Sequence, residues 1–343
     1  MRHLALLATL AAAPASLAPL ELPGADGPVG FDDLRFSTEL RKVLVPAGRT
    51  GRVDLVDPER RAVEEIAGFS AAKPGEAGGR SHGESTTSAD SGAGLVFATD
   101  RTQQEVLVAD ARTRQIVARA KLGAVPDYVR WVEPTRELWV TEPGKKVIEL
   151  FKLGEGSPPT LARGGSIDVP DGPESLEIDA GRHRAYTNTW HDATIAIDVE
   201  SRRVVARWKN GCKGARGLAL DPARQFVFVG CEEGKAVLLD AGHDGKVVGR
   251  APAGDGVDII AYGAELSHLY VPGGGAADLT VIGVGRDGAL SVLGKVPTAR
   301  EAHCVTADDR GNVYVCDPDH GRLLTFHDPY PASRARADGE KAR

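Results

Sequence analysis

An all-β, seven-bladed β-propeller with four-stranded antiparallel blades is the fold this sequence predicts. Three observations carry that reading: a repeat of about 41 to 45 residues, several short strands in each copy, and no helical periodicity between them. Seven copies can be laid down, with first strands beginning near Asp33, Ser85, Tyr128, Ser175, Gly217, Asp258 and His303. Second strands centre on Leu44, Phe97, Trp139, Tyr186, Phe228, Tyr270 and Tyr314. Third strands follow around residues 53–56, 105–109, 147–151, 195–198, 236–240, 280–283 and 322–326. Turn residues precede each apolar run, and alternate Val, Leu, Ile and Ala positions supply the packing between blades.

The repeats run without a linker from about residue 31 to 328, so one domain, residues 19–329, accounts for them. Two stretches break the period. Residues 70–94 read as a loop by composition and carry His82 and Glu84 near the start of blade two. Residues 154–165 form a Gly/Pro-rich excursion before an outer strand expected near 167–169. The last repeat runs out after its third strand, because Pro329 and Pro331 cannot donate to a sheet ladder and a polar tail, residues 330–343, follows. The segment at Leu20 to Leu22 is placed to supply the missing outer strand and close the ring.

Ahead of it, residues 1–18 combine Arg2, the apolar stretch 4–13 and small residues through Ala18, the pattern of a cleaved secretory signal. That stretch is too short to span a bilayer, and the expected location is periplasmic or secreted. Four cysteines fit an oxidising compartment. Hairpin folding pairs Cys212 with Cys231 and Cys304 with Cys316, while buried free thiols or a metal site remain the alternatives. A net charge of -6 and the lack of any Lys/Arg cluster argue against nucleic acid.

The second-strand segments Arg184-Ala-Tyr-Thr-Asn188, Leu138-Trp-Val-Thr141, Gln225-Phe-Val-Phe-Val229 and Asn312-Val-Tyr-Val-Cys316 resemble the repeat that names the YVTN (YncE-like) family of bacterial seven-bladed propellers. Leu218-Ala-Leu-Asp-Pro222 and Ile195-Ala-Ile-Asp198 are similar to the rest of that unit. Blades one and two depart from it, and blade six reads Tyr270-Val-Pro-Gly273. The resemblance implies a fold and leaves the function open, since such propellers serve as binding modules, scaffolds and a few hydrolases and lyases.

Registering the repeats gathers an inner ring on one face: Asp32 and Asp33, His82 or Glu84, Asp127, Tyr128, Glu174, Ser175, Arg216, Asp258 and His303. Loops leaving the second strands add Glu142, Asn188, Trp190, His191, Glu232, Asp317, Asp319 and His320. Asp33, His82, Asp127, Glu174, Arg216, Asp258 and His303 are the residues expected to contact a ligand. Acids and imidazoles around one axis suit a divalent cation such as calcium; the bland reading is that they cap strand amides and bind channel water. Similarity in shape to calcium-dependent lactonases would make Glu174, Asp127 and Asp258 the metal ligands and His303 or His82 the general base. No Cys-x-x-Cys-His haem site is present, and no Gly-x-Gly-x-x-Gly is expected to lead from a strand into a helix. The expectation is an exported, monomeric binding protein for a small molecule, metal ion or periplasmic protein, with a metal-dependent hydrolase or lyase as the alternative.

Overall fold

The computed structural model describes residues 16–25, 27–72 and 84–333. Seven four-stranded antiparallel sheets form the ring, six of them from strands consecutive in sequence. Blades one to six run Arg35–Ser37 to Val63–Ala67, Ala89–Gly92 to Ile116–Lys121, Val129–Val132 to Leu161–Asp168, Glu174–Asp179 to Arg203–Lys209, Ala215–Asp221 to Lys246–Pro252, and Ala261–Gly263 to Leu290–Pro297. Every predicted second-strand centre lies inside an observed second strand, from Leu44 in Lys42–Pro46 to Tyr314 in Asn312–Asp317.

Burial follows position in the blade. The second strand Phe226–Cys231 is buried at all its positions, as its unbroken run of Phe, Val, Gly and Cys requires, whereas the outer strand Arg203–Lys209 is almost wholly solvated. The turn between first and second strands is the same device in every blade. A residue there adopts the left-handed conformation, at Arg41, Ala93, Arg136, His183, Gln225, Ser267 and Gly311, with φ between 52° and 82°; in blade two Gly94 does so as well. Six of these carry a side chain, so each tight turn accepts a small backbone cost that the flanking ladders offset.

Blade seven closes the ring. Its inner three strands are Val305–Ala307, Asn312–Asp317 and Arg322–His327, and its outer strand is Ala18–Glu21, paired antiparallel with Leu20 opposite Leu323. Leu20 and Leu22 are buried, which is why an apolar segment is needed here. The signal-peptide boundary expected at residue 18 coincides with the first residue of this strand; residues 1–15 lie outside the described residues.

Two expectations change. The outer strand of blade three begins at Leu161 and not near 167, because a bulge between Leu150 and Phe151 lets the Gly164–Gly165 step stay within the ladder. The segment before blade two is ordered earlier than its composition implies: Ser85, Thr86, Thr87 and Ser88 are buried, and the inner strand Ala89–Gly92 follows. His82 lies outside the described residues. At the other end Ser333 donates its amide to the Leu266 carbonyl at 2.9 Å, and residues 334–343 lie outside the described residues.

Both expected disulfides are present, Cys212–Cys231 and Cys304–Cys316, with Cα separations of 5.3 and 5.6 Å. No helix among the described residues is long and apolar enough to cross a membrane.

Closure can be tested by truncation. Removing residues 19–23 should lower the melting temperature far more than removing 334–343, and Leu20→Ala alone should cost about 2–5 kcal/mol in urea titrations. Equal melting temperatures for the two truncations would contradict this account of the ring.

Candidate ligand site at the channel mouth

The segment leading into each innermost strand is tied to its neighbour near the axis. Asp33 N donates to Thr87 O at 3.0 Å, Gly217 N to Asp258 O at 2.9 Å, and Ile259 N to His303 O at 3.0 Å. Val129 N donates to Ser88 Oγ at 3.0 Å, and Ser175 Oγ to Arg216 O at 3.0 Å. Gly217 is required by this approach, since a Cβ there would lie 2.3 Å from the Asp258 carbonyl oxygen.

Above this belt opens a cavity of about 710 Å³ to which every blade contributes. Asp32 comes from the segment before blade one, Arg101 from blade two, Asp127 and Tyr128 from blade three, Glu174 and Trp190 from blade four, Arg216 and Glu232 from blade five, Asp258 from the lead-in to blade six, and Glu301 and His303 from blade seven. Arg101 donates to Asp127 at 2.7 Å. Arg216 lies 3.5 Å from Glu174, donates to Glu232 at 2.8 Å and stacks on Trp190 with its guanidinium carbon 4.6 Å from the ring centroid.

Burial and mutual repulsion dominate the electrostatics. Burial raises the Glu174 carboxyl to about 9, with Asp127 and Asp258 adding to the shift and Arg216 only partly opposing it. Burial likewise raises Asp127 to about 6 despite Arg101. Asp32 is held well above the usual carboxylate range by burial first, then by Asp127 and Asp258. Glu174 is 5% exposed, and its Oε2 has no hydrogen-bond partner.

Of the seven expected ligand contacts, Asp127, Glu174, Arg216, Asp258 and His303 line this cavity, His82 is outside the described residues, and Asp33 does not line it. Asp32 takes that place, and Asp33 instead meets Arg130, bonded at 2.6 and 3.0 Å, with both side chains buried. Alternation along an extended segment separates the two neighbours. Arg130 also reaches Glu177 at 3.2 Å, and Glu177 accepts from Arg35 at 2.7 Å, so an ion network runs below the mouth from the buried Arg130–Asp33 pair to the half-buried Arg35. Burial pushes the Glu177 carboxyl up, but Arg35 and Arg130 outweigh it and hold it below its ordinary value. Below this network a second cavity of about 460 Å³ opens, lined by Arg35, Phe36, Ile178, Tyr262 and Asp309 among others.

Sequence reasoning took Arg216 as the single cation of the ring and missed Arg101. The signal was present in Phe97-Ala-Thr-Asp100, a variant of the second-strand motif that places Arg101 at the mouth. The motif residues themselves serve the lead-in segments. Thr187 Oγ1 donates to Ser175 O at 2.7 Å, Thr141 Oγ1 accepts from Tyr128 N at 2.8 Å, and Asn188 Nδ2 donates to Arg216 O at 2.6 Å. Asn188 is in turn held by Thr194 at 2.8 Å, Thr194 by Asn210 at 3.1 Å, and Asn210 accepts from the amide of Cys212 at 3.0 Å. A buried chain thus links the Cys212–Cys231 disulfide to the backbone of Arg216.

The described residues do not supply a grouped set of metal donors: no three His, Cys, Asp or Glu side chains among them are placed together so as to hold one ion. His303 has Nδ1 2.6 Å from the Glu301 carbonyl oxygen and Nε2 3.0 Å from that of Phe31, an arrangement that braces the ring and leaves neither nitrogen placed to act as a general base.

No protein-family model matches the chain. No curated protein matches it either. Solved structures do: hydrazine synthase of Kuenenia stuttgartiensis at TM-score 0.68 and 16% identity, covering 88% of this chain and 96% of that one; and the β-propeller domain of Cps50 (Swd1) from Myceliophteria thermophila at 0.71 and 12%, covering 91% and 99%. A mitotic checkpoint complex chain matches at 0.74 and 12%, covering 96% and 95%. At these identities the likeness shows the seven-bladed fold and nothing finer.

The raised Glu174 carboxyl makes a signed prediction. Between the ordinary glutamate range and about 9 the folded state keeps a proton that the unfolded chain has lost, so stability falls as pH rises through that window. Glu174→Gln should flatten this decline in denaturant titrations at pH 5 and pH 9. An unchanged slope would contradict the burial assigned to Glu174.

Proposed function

We propose that this protein is an exported, YVTN-type propeller that binds a small ligand in the cavity at the channel mouth. The propeller fold is compatible with a binding or scaffold role, and the observation that carries the finer reading is the cavity itself. Its volume of about 710 Å³ falls in the range of small-molecule pockets, and all seven blades send polar groups into it. Export is supported by the signal-like residues 1–18 and by two disulfides, which persist in oxidising compartments. The YVTN assignment rests on the second-strand motifs, whose Thr and Asn side chains brace the mouth. A metal-dependent hydrolase or lyase gains no support from the geometry, since His303 is already bonded on both nitrogens and no three ligands converge among the described residues.

Thermal-shift screening of a metabolite library against the purified protein tests this. Compounds that bind should raise the melting temperature by mass action, roughly in proportion to RT ln(1 + [L]/Kd). The shift should vanish in Glu174→Gln/Asp258→Asn at the upper mouth and persist in Asp309→Asn at the lower cavity. The reverse pattern would move the site to the opposite face.

A further inference from the structure

We infer that the ligand of this mouth is an organic polycation, a diamine or polyamine with at least two protonated nitrogens separated by methylene stems. The inference rests on the binding reading above and names its ligand class. Six carboxylates line the cavity, Asp32, Asp127, Glu174, Glu232, Asp258 and Glu301, against the guanidiniums of Arg101 and Arg216. Both cations are already engaged, Arg101 with Asp127, and Arg216 with Glu174, Glu232 and the Trp190 ring. An anionic ligand would therefore meet no unengaged arginine and a surplus of negative charge.

A second observation points the same way. Glu174 is 5% exposed and lines the cavity, with Oε2 lacking a hydrogen-bond partner among the described residues; Asp32, 4% exposed, lines it too, with Arg101 as its opposing charge. Ionising a buried carboxyl without a donor is costly, which is why Glu174 keeps its proton up to about 9; an N–H donor carrying positive charge supplies the missing bond, offsets the repulsion and favours release of that proton. The acids come from different blades and do not group around a point, which suits charges distributed along a chain better than a single ion.

The apolar surface matches the stems. Val125 and Trp190, two of the five exposed large hydrophobic side chains among the described residues, lie at this mouth, with Val257 and Pro143 beside them. Trp190 shows through its contact with Arg216 that its face accepts a cation. Methylene segments packed on these side chains would leave the nitrogens directed at the carboxylates.

Isothermal titration with spermidine and putrescine, beside succinate, 1,4-butanediol and calcium chloride, is the test. Spermidine should bind more tightly than putrescine, and the two non-amine compounds should not bind. Asp258→Asn, a half-buried isosteric change whose folding is verified by its melting curve, should weaken spermidine about tenfold or more, the loss of one charge-assisted bond. Lowering the pH from 8 to 5 should weaken binding further. Asp127, held at about 6, takes up a proton in that range, whereas Glu174, raised to about 9, already carries one at its start; Asp32, Glu232, Asp258, Glu301, Arg101, Arg216 and His303 frame the same cavity, and a protonated carboxyl no longer attracts an amine.

Binding of succinate or butanediol at the mouth in place of the amines would overturn the ligand class and leave the binding reading standing. Tighter binding of calcium than of spermidine, lost in the same variant, would overturn it in favour of a metal. If no probe binds and the library screen also gives no shift sensitive to Glu174→Gln/Asp258→Asn, both readings fall together.

Discussion

The belt of hydrogen bonds between successive lead-in segments is the constraint on which the site depends. Seven sheets can pack face to face at several spacings, but bonds such as Gly217 N to Asp258 O and Ile259 N to His303 O fix how close each blade comes to the axis. With that distance set, side chains separated by more than forty residues in sequence meet across one cavity. Burial then follows from closure, and from burial follow the raised carboxyls of Asp32, Asp127 and Glu174. The electrostatic character of the mouth is in this sense a property of ring geometry more than of any single residue.

Below the mouth the same geometry produces the opposite result. Arg130, Asp33, Glu177 and Arg35 pair with one another in a chain that runs from the buried Arg130–Asp33 pair to the half-buried Arg35, which also meets Asp90, so their charge is largely taken up in structure. Such a network gives little net stability against an apolar plug, yet removing one partner would strand a charge. It divides the channel into two cavities of different character. Tyr128 lines both and forms part of the partition between them, with Arg130 lying over its ring at 5.5 Å.

The architecture was legible because the repeat period, the strand centres and the closing role of Leu20 all depend on local alternation and turn chemistry. The disulfides were legible for the same reason, since each joins residues brought together by one hairpin. The site was only partly legible. Choosing between Asp32 and Asp33 requires knowing which way one residue of an extended segment points, and a shift of one position reverses the answer. Arg101 follows Phe97-Ala-Thr-Asp100 in blade two, a second strand that departs from the Tyr-Val-Thr-Asn wording, so the position after it was not aligned with the mouth residues of the other blades. The Arg130 network could not be read at all, because its members come from blades one, three and four with no spacing in common.

Blade seven has one more consequence, for the order of assembly. Its outer strand and the strand it pairs with are separated by about three hundred residues, as the contact between Glu21 and Arg322, 301 positions apart, records. Every other blade is built from neighbours in sequence and can form its ladders as soon as its own forty-odd residues are free. The final pairing must wait for both, and the loop-closure entropy it carries is the largest in the molecule. Until then the exposed edge of Arg322–His327 offers unpaired backbone groups to any passing strand. The short Ala18–Glu21 segment therefore acts as the molecule's own edge guard, and its arrival is the event that separates a soluble ring from an aggregation-prone arc.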